Sequence, residues 1–498
     1  MRQAPDIELG VAPRPAGVTR QRWLYDELRG AILAGRLRPG QRLPPSRDFA
    51  RQQGVSRGTV LAVYAQLAAE GYLTGAVGSG TVVSGRLPEG AAVAPASVLA
   101  RAEVVAAPPP VAAAARLSQR GVRLAATPFP VDESVGPLRC FRANQPDFSA
   151  FPLAVWNRIA AQRASALRPA RMAYGDAAGH LPLRQAIAAH LRTAQRIDCD
   201  ARQVMIVGSA QQALDLASRL LLDEGDAVWM EDPGYPGAAR LFEANGARVV
   251  PVPVDADGLR VDAGTRLAPE ARLAYVTAAH QSPLGMALAL DRRLALLRWA
   301  AGCGATVIED DYDSEFRHAG TPLAALKSLD GGGRVIYLGS FSKLLFPSLR
   351  LAYVVLPDWL VEPFAAALSL GCRQVAPQAQ ALLAEFIAEG HFARHVRRMR
   401  LLYSERAAAL QAAVTAQLGG WLDLLPITTG LDAAGLLTAG SDDCAVVARL
   451  AAAGVEARPL SFYALGAAGA PGLVLGFSAF GVDEIRAGVA AMARALPG

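Results

Sequence analysis

At 498 residues, 52 % hydrophobic and 19 % charged, the chain has length for roughly two to four cores, which excludes a disordered or fibrous protein and a small disulfide scaffold. Its five scattered cysteines form no CxxC pair, which argues against a zinc module or disulfide framework and fits a reducing cytoplasm; neither an export signal nor a membrane span is expected. The net charge of +6 is unevenly placed: residues 1–86 hold 12 Arg and 6 acids, leaving 38 basic and 38 acidic residues elsewhere, so the first sixth is the part suited to a polyanion.

Residues 15–85 read as helix, helix, tight turn, helix and hairpin. In QRWLYDELRGAILAG, Leu24, Leu28, Ile32 and Leu33 form one apolar face. In RPGQRLPPSRDFARQQ, Pro44 and Pro45 block an earlier helix start and Ser46 is the candidate cap. VSRGTVLAVYAQLAAEG begins with Ser56 as N-cap and turns Val60, Val63, Tyr64 and Leu67 inward, with Gly54 in the tight turn a helix-turn-helix needs. The second helix of such a pair enters the major groove by its N-terminal residues, here Ser56, Arg57, Gly58 and Thr59. GYLTGAVGSGTVVSG adds two short β-prone runs around Gly78–Ser79–Gly80, whose backbone can approach phosphate closely. A small helical bundle with a basic face is the alternative. The run from LRGAILAG through PPSRDFARQQGVSRGTV and EGYL to GSGTVV closely resembles the DNA-binding domain of the GntR family. That resemblance implies a winged helix-turn-helix with Arg47, Ser56, Arg57, Thr59, Gly78 and Gly80 at or near operator DNA.

Residues 86–136 are Ala-, Pro- and Val-rich and read as an interdomain linker, with PPP at 108–110 favouring extended chain; an Ala-rich helix over 111–118 is the local alternative. From 137 to 498, short apolar runs alternate with amphipathic helical stretches: QVMIV, AVWME, RVVPV, LAYVT, ATVIED, RVIYLGS and RLAYVVL. This is the rhythm of an α/β domain with a mostly parallel sheet. Ligands of such sheets bind beyond the carboxyl ends of the strands, so the polar residues just after each run are the candidates.

After the first run, GSAQQAL opens a helix whose first amides, at Ser209, Ala210 and Gln211, suit a phosphate. After the fifth, EDDYDSEF presents two acids and a tyrosine. After the sixth, GSFSK presents Ser340, Ser342 and Lys343, with Arg350 shortly beyond. Lys343 is one of two lysines in a chain with 48 arginines, and an amine can form a Schiff base with an aldehyde where a guanidinium cannot. A carboxylate can hold a pyridinium nitrogen and hydroxyls with an arginine can grip a phosphate, so together these residues describe a pyridoxal phosphate site.

Residues 138–490 resemble a fold-type I, class I aminotransferase domain through AYGDAAGHLPLRQAIAAHL, EDPGYPGA, IEDDYDSEFR, GSFSKLLFPSLRLAYVV and GHFARHVRRMRLLYSERAAAL. Joined to the GntR-like head, this is similar to the MocR type of transcriptional regulator. The resemblance implies pyridoxal 5′-phosphate as cofactor and Lys343 as the lysine of the internal aldimine. It implies Asp310 at the pyridine nitrogen, in preference to its neighbour Asp311, with Tyr312 at the phenolic oxygen and Tyr235 stacked on the ring. It further implies Ser209, Ala210, Gln211, Ser340, Ser342 and Arg350 at the phosphate.

Two departures stand out. In AAHQSPLGM, Leu284 replaces the family's threonine and Ser282 its usual aromatic. The strand GLVLGFSAF lacks the arginine that usually binds the substrate carboxylate; Arg458 in VEARPLSFY is the nearest candidate, a surface arginine being the alternative. The basic helix from Arg394 to Arg400 reads as a solvated or subunit-contact face. The expectation is a cytoplasmic, nucleoid-associated bacterial regulator, homodimeric, that senses pyridoxal phosphate or an amine or amino acid. The rivals are a working aminotransferase with a DNA-binding head and a DNA-binding protein with a cofactor-free dimerisation domain.

Overall fold

Thr19 starts the first helix: its hydroxyl accepts from the Arg22 amide, and α1 (Arg20–Leu33) buries Leu24, Tyr25, Leu28, Ala31 and Ile32 while Leu33 stays half-buried at the edge of the stripe. The computed structural model describes residues 17–76, 80–85, 117–129, 138–165, 173–320, 324–466 and 469–496. They fall into two units, Met1–Ala114 and Ala115–Gly498.

In the first unit α2 (Ser46–Gln52) is not capped by Ser46, as the sequence suggested. Ser46 is its first residue, Pro45 stands at the cap with no side-chain bond to offer, and the Ser46 hydroxyl accepts from Arg57 Nε at 3.5 Å instead. Gly54 turns the chain with φ +65°, a left-handed value that costs glycine little. The Ser56 hydroxyl then accepts from the Thr59 amide at 3.1 Å and starts α3 (Arg57–Ala69), which buries Val60, Val63, Tyr64 and Leu67. The Phe49 and Tyr64 rings stack at 5.9 Å in this core, and each fully buried large apolar side chain there contributes about 1.5–3 kcal/mol. Strands β1 (Leu73–Ala76) and β2 (Gly80–Val83) pair antiparallel as the wing.

In the second unit a short helix, α4 (Gln119–Ala126), lies inside the stretch read as linker, with Ser118 as N-cap and an Arg123–Glu224 ion pair at 2.8 Å. The alternative helix over 111–118 falls outside the described residues except for 117 and 118.

Each apolar run of the sequence is a strand: β3 (Val204–Val207), β4 (Ala227–Asp232), β5 (Arg248–Asp255), β7 (Leu273–Val276), β8 (Thr306–Asp311), β9 (Val335–Ser340) and β10 (Ala352–Val355). With the short β6 (Gly258–Leu259) they form one sheet in the order β3-β10-β9-β8-β7-β4-β5-β6. The β5-β4-β7-β8-β9 ladders are parallel, and β10 runs antiparallel to both its neighbours. These strands are nearly uniformly apolar because helices cover both faces. Along β4, Val228 and Met230 enter one core and Trp229 the other, as the two-residue repeat of a strand requires.

A second, antiparallel sheet follows in the order β11-β12-β14-β13, with β11 (Leu422–Leu424), β12 (Asp432–Leu437), β13 (Arg458–Pro459) and β14 (Gly472–Gly476). Among the described residues, no helix is long and apolar enough to cross a membrane.

Candidate cofactor site and nucleic-acid interface

Beyond the carboxyl ends of β4, β7, β8 and β9 lies a cavity of about 350 Å³. Lys343, Asp310, Tyr312, Tyr235, Ser209, Ala210, Gln211, Ser340, Ser342 and Arg350 all line it, and so does Arg458. The fold thus gathers side chains spread over some 250 positions of the sequence: parallel strands bring their carboxyl ends to one edge, and the second sheet adds Arg458.

Asp310, at the end of β8, forms a buried wall. Its Oδ2 accepts from the Tyr275 hydroxyl at 2.6 Å, and its Oδ1 is buried with no hydrogen-bond partner among the described residues. Burial pushes this carboxyl up to about 7, against the lowering effect of the Tyr275 bond. A buried carboxylate oxygen without a donor is costly, and a ligand N–H placed against it would relieve that cost. Asp311 points to the other side of the sheet, where the Ser314 and Tyr337 hydroxyls donate to its Oδ2 at 2.6 and 2.7 Å.

At the opposite end, Ser209 caps the helix Ala210–Leu221, its hydroxyl accepting from the Gln212 amide at 3.1 Å. The first amides of that helix lack carbonyl partners within it, and the positive end of the helix dipole adds to their attraction for an anion. Ser340 accepts from the Ser342 amide at 3.2 Å and caps the short helix Phe341–Leu344 that carries Lys343. Gly339, before it, lies against Tyr353: a Cβ there would sit 2.3 Å from that ring's Cζ, so the strand end admits no side chain. Arg350 is exposed, sits in the left-handed region with φ +54°, and among the described residues its guanidinium has no hydrogen-bond or ion-pair partner.

Between these ends, Lys343 Nζ donates to the Asn144 carbonyl at 2.7 Å. The Tyr312 hydroxyl lies 3.1 Å from His280 Nδ1, which is 2.7 Å from Asp313 Oδ1. Burial raises the Tyr312 phenol well above its ordinary value, and burial likewise raises that of Tyr235. The Tyr235 ring lies at 6.5 Å from the Tyr275 ring, and Gln211 Nε2 donates to the Gly237 carbonyl at 3.0 Å. Lys327, the other lysine, is structural: its amine donates to Asp330 at 3.1 Å and to the Val335 carbonyl at 2.7 Å.

Ser282 lines the cavity, whereas Leu284 packs with Leu460, Tyr463 and Val474 and donates its amide to Gln281 Oε1 at 2.9 Å. Arg458 stands on β13 directly across from Val474 on β14, with its guanidinium 5.0 Å from the Phe462 ring centre. The second sheet thereby brings a cation to the cavity from the strand beside the one expected to carry it.

Sequence reasoning passed over Asn144, Tyr275, Thr277, Tyr463 and Phe129, which also line the cavity. Thr277 follows the β7 run directly and was open to the strand-end rule. Tyr275 sits inside an apolar run and Phe129 inside the linker-like stretch, and neither carried a signal.

In the first unit Arg47 on α2 and Arg57 on α3 are exposed. Ser56 and Thr59 hydroxyls lie 2.8 Å apart at the α3 N-terminus. Gly80 opens β2 with φ +81°, and Gly78 lies outside the described residues. In the basic helix His391–Gln417, Arg394 bonds back to the Glu389 carbonyl and His391, Arg400 donates to the Glu315 carbonyl at 2.9 Å, and Arg397 and Arg398 are exposed.

Comparison with known proteins matches residues 141–428 to the aminotransferase class I and II family and residues 20–83 to the bacterial regulatory proteins of the gntR family. The chain is 39 % identical to the probable rhizopine catabolism regulatory protein MocR of Rhizobium meliloti, over 96 % of this chain and 94 % of that one. It is 31 % identical to the pyridoxine biosynthesis transcriptional regulator PdxR of Corynebacterium glutamicum, over 97 % and 96 %. Among solved structures it is similar to an archaeal alanine:glyoxylate aminotransferase, with a TM-score of 0.68 and 28 % identity over 72 % of this chain and 91 % of that one.

Proposed function

Since this chain belongs to the GntR family of bacterial regulatory proteins and, through its aminotransferase class I and II domain, to the MocR type of transcriptional regulator, we propose that the cavity holds pyridoxal 5′-phosphate and that cofactor or amine binding sets the affinity of the N-terminal unit for operator DNA. The observation that carries this reading is Asp310 Oδ1, a buried and unpartnered carboxylate oxygen in the same cavity as Lys343. A protonated pyridine nitrogen supplies the donor that this oxygen lacks.

The remaining residues fit the same group. Asp310 holds the ring nitrogen and Tyr235 covers a ring face. Tyr312 donates toward the phenolic oxygen. The Ser209–Gln211 turn with Ser340, Ser342 and Arg350 holds the phosphate, and Arg458 offers a bidentate grip for the carboxylate of an amino-acid effector. The cofactor supplies an aldehyde for reversible bonding to primary amines. One relative is named for rhizopine catabolism and another for pyridoxine biosynthesis, so both an amine and the cofactor itself stand as effectors.

A ligand moves the DNA-binding unit only by favouring one state of the protein over another. Fold-type I relatives build their sites in homodimers, and a homodimer here pairs with a two-part operator.

The test adds pyridoxal phosphate to the full-length protein and follows the visible band of a lysine-bound aldehyde, the borohydride-fixed mass on Lys343, and binding to the DNA flanking the gene. Uptake on Lys343 and a DNA affinity that changes with pyridoxal phosphate or a member of an amine panel support the reading. No uptake, or a DNA affinity indifferent to every ligand, overturns it. Multiple-turnover transfer of an amino group to a 2-oxo acid would favour the enzyme instead.

A further inference from the structure

We propose that Asn144 and Asp432 form a perch for the Lys343 amine, and that its capture by an aldehyde frees the segment carrying Asn144. The release step rests on the cofactor reading above; the perch does not.

Lys343 follows β9 in the large sheet, and Asn144 belongs to a segment pinned to the small one. The Asn144 amide donates to Asp432 Oδ1, at the start of β12, at 2.8 Å. Two residues earlier, Arg142 pairs with Glu456 at 2.8 Å, both side chains being at most 20 % exposed. One residue before that, the Phe141 carbonyl accepts from the Gly476 amide at 2.9 Å, at the end of β14. Asn144 itself has φ +64°, a left-handed turn that asparagine tolerates better than most residues and that aims its carbonyl at Lys343 Nζ, 2.7 Å away. The Lys343–Asn144 hydrogen bond therefore ties the large sheet to the small one across the cavity.

Capture weakens that tie by removing donor hydrogens. When the amine condenses with an aldehyde, a C=N bond forms, the nitrogen gives up two hydrogens, and the aldehyde oxygen leaves as water. The nitrogen is left with one hydrogen if protonated and none if not, whereas an ammonium has three. The half-buried Asn144 carbonyl, which faced an ammonium with three hydrogens, then faces a nitrogen with one at most, and its bond to that nitrogen is weakened or absent. Asn144 comes soon after the linker-like stretch in sequence. Asp432 does not reach the ligand in this scheme; it is a positioning residue that holds Asn144, and its charge also attracts the Lys343 ammonium.

With two lysines in the chain, chemical labelling of the full-length protein reads the perch directly. Formaldehyde with cyanoborohydride methylates both, and peptide masses give the rate at Lys343 relative to Lys327. Asp432→Ala is expected to raise this ratio about fivefold, the equivalent of one lost hydrogen bond. Asp432→Asn keeps an acceptor for the Asn144 amide while losing the charge, and is expected to raise the ratio less than Asp432→Ala does. An unchanged ratio in Asp432→Ala, or an Asn variant that behaves like the Ala variant, overturns the perch. General unfolding raises both lysines together and is recognised by the Lys327 rate.

A second measurement needs no variant. Hydrogen exchange in the peptide 141–147 is compared between protein saturated with pyridoxal phosphate and protein saturated with pyridoxine 5′-phosphate, which lacks the aldehyde. Faster exchange with the aldehyde supports the release, and equal exchange overturns it. If neither compound binds, the cofactor reading fails, and the release with it, while the labelling ratio still decides the perch.

Discussion

Asp310 and Asp311 follow one another on β8 but face opposite sides of the sheet: Asp310 opens into the cavity with Tyr275 at 2.6 Å, and Asp311 is held by Tyr337 at 2.7 Å on the far side. The alternation of a strand therefore gives two adjacent acids different work. Asp310→Ala is expected to weaken pyridoxal phosphate binding at least about tenfold, the scale of a lost charge-assisted hydrogen bond. Asp311→Ala is expected to lower the melting temperature, because the Tyr337 and Ser314 hydroxyls lose their acceptor. Absorbance titration and calorimetry on both variants separate the two effects.

The two lysines are expected to part in the same way. Lys343→Ala abolishes the visible band and the borohydride-fixed mass. Lys327→Met keeps the band but costs about 3–5 kcal/mol of stability, since it leaves Asp330, 1 % exposed, without its cation. Denaturant unfolding of each variant, with and without pyridoxal phosphate, checks the pair.

Buried carboxyls set the pH response of the cofactor-free protein. Burial raises Asp310 from its ordinary 3.8 to about 7, and burial raises Glu309 from 4.5 to about 7 against the donating Lys327 and Leu326 amides. A raised folded-state value means that the folded protein holds these protons more tightly than the unfolded chain does. Their contribution to stability is complete below the ordinary values and is lost as pH rises to and through about 7. The melting temperature of the cofactor-free protein is therefore expected to fall across that interval, and Asp310→Asn to fall less steeply. A steeper fall in that variant would contradict the assignment.

On the DNA side, Arg57→Ala is expected to weaken binding about tenfold and to reduce the slope of log affinity against log salt by about one if its guanidinium meets a phosphate. Ser56→Ala removes the α3 cap and is expected to cost about 1 kcal/mol of stability in the first unit. Fluorescence anisotropy at several salt concentrations, and thermal unfolding, read the two.

Much of the fold was legible in the sequence because its signals are local. The seven apolar runs are strands since a strand buried on both faces has little room for polar residues, and Gly54, Ser56 and the α3 stripe mark a helix-turn-helix within some fifteen positions. The strand-end rule led to Ser209, Asp310, Ser340 and Lys343 for the same reason. It did not reach α4 in the linker-like stretch, where Ala and Pro mask a short capped helix.

By itself, the sequence determined the succession of elements, the excess charge of the head and the presence of an amine, acids and hydroxyls at strand ends, all of which are properties of short windows. The tertiary structure alone decided that Asp310 meets Tyr275 in the cavity, that Arg458 reaches the site from β13, and that Asn144 receives the Lys343 amine. Those outcomes depend on sheet order and on contacts between residues up to some two hundred positions apart. No window of the sequence contains both partners, so only the folded chain could set them.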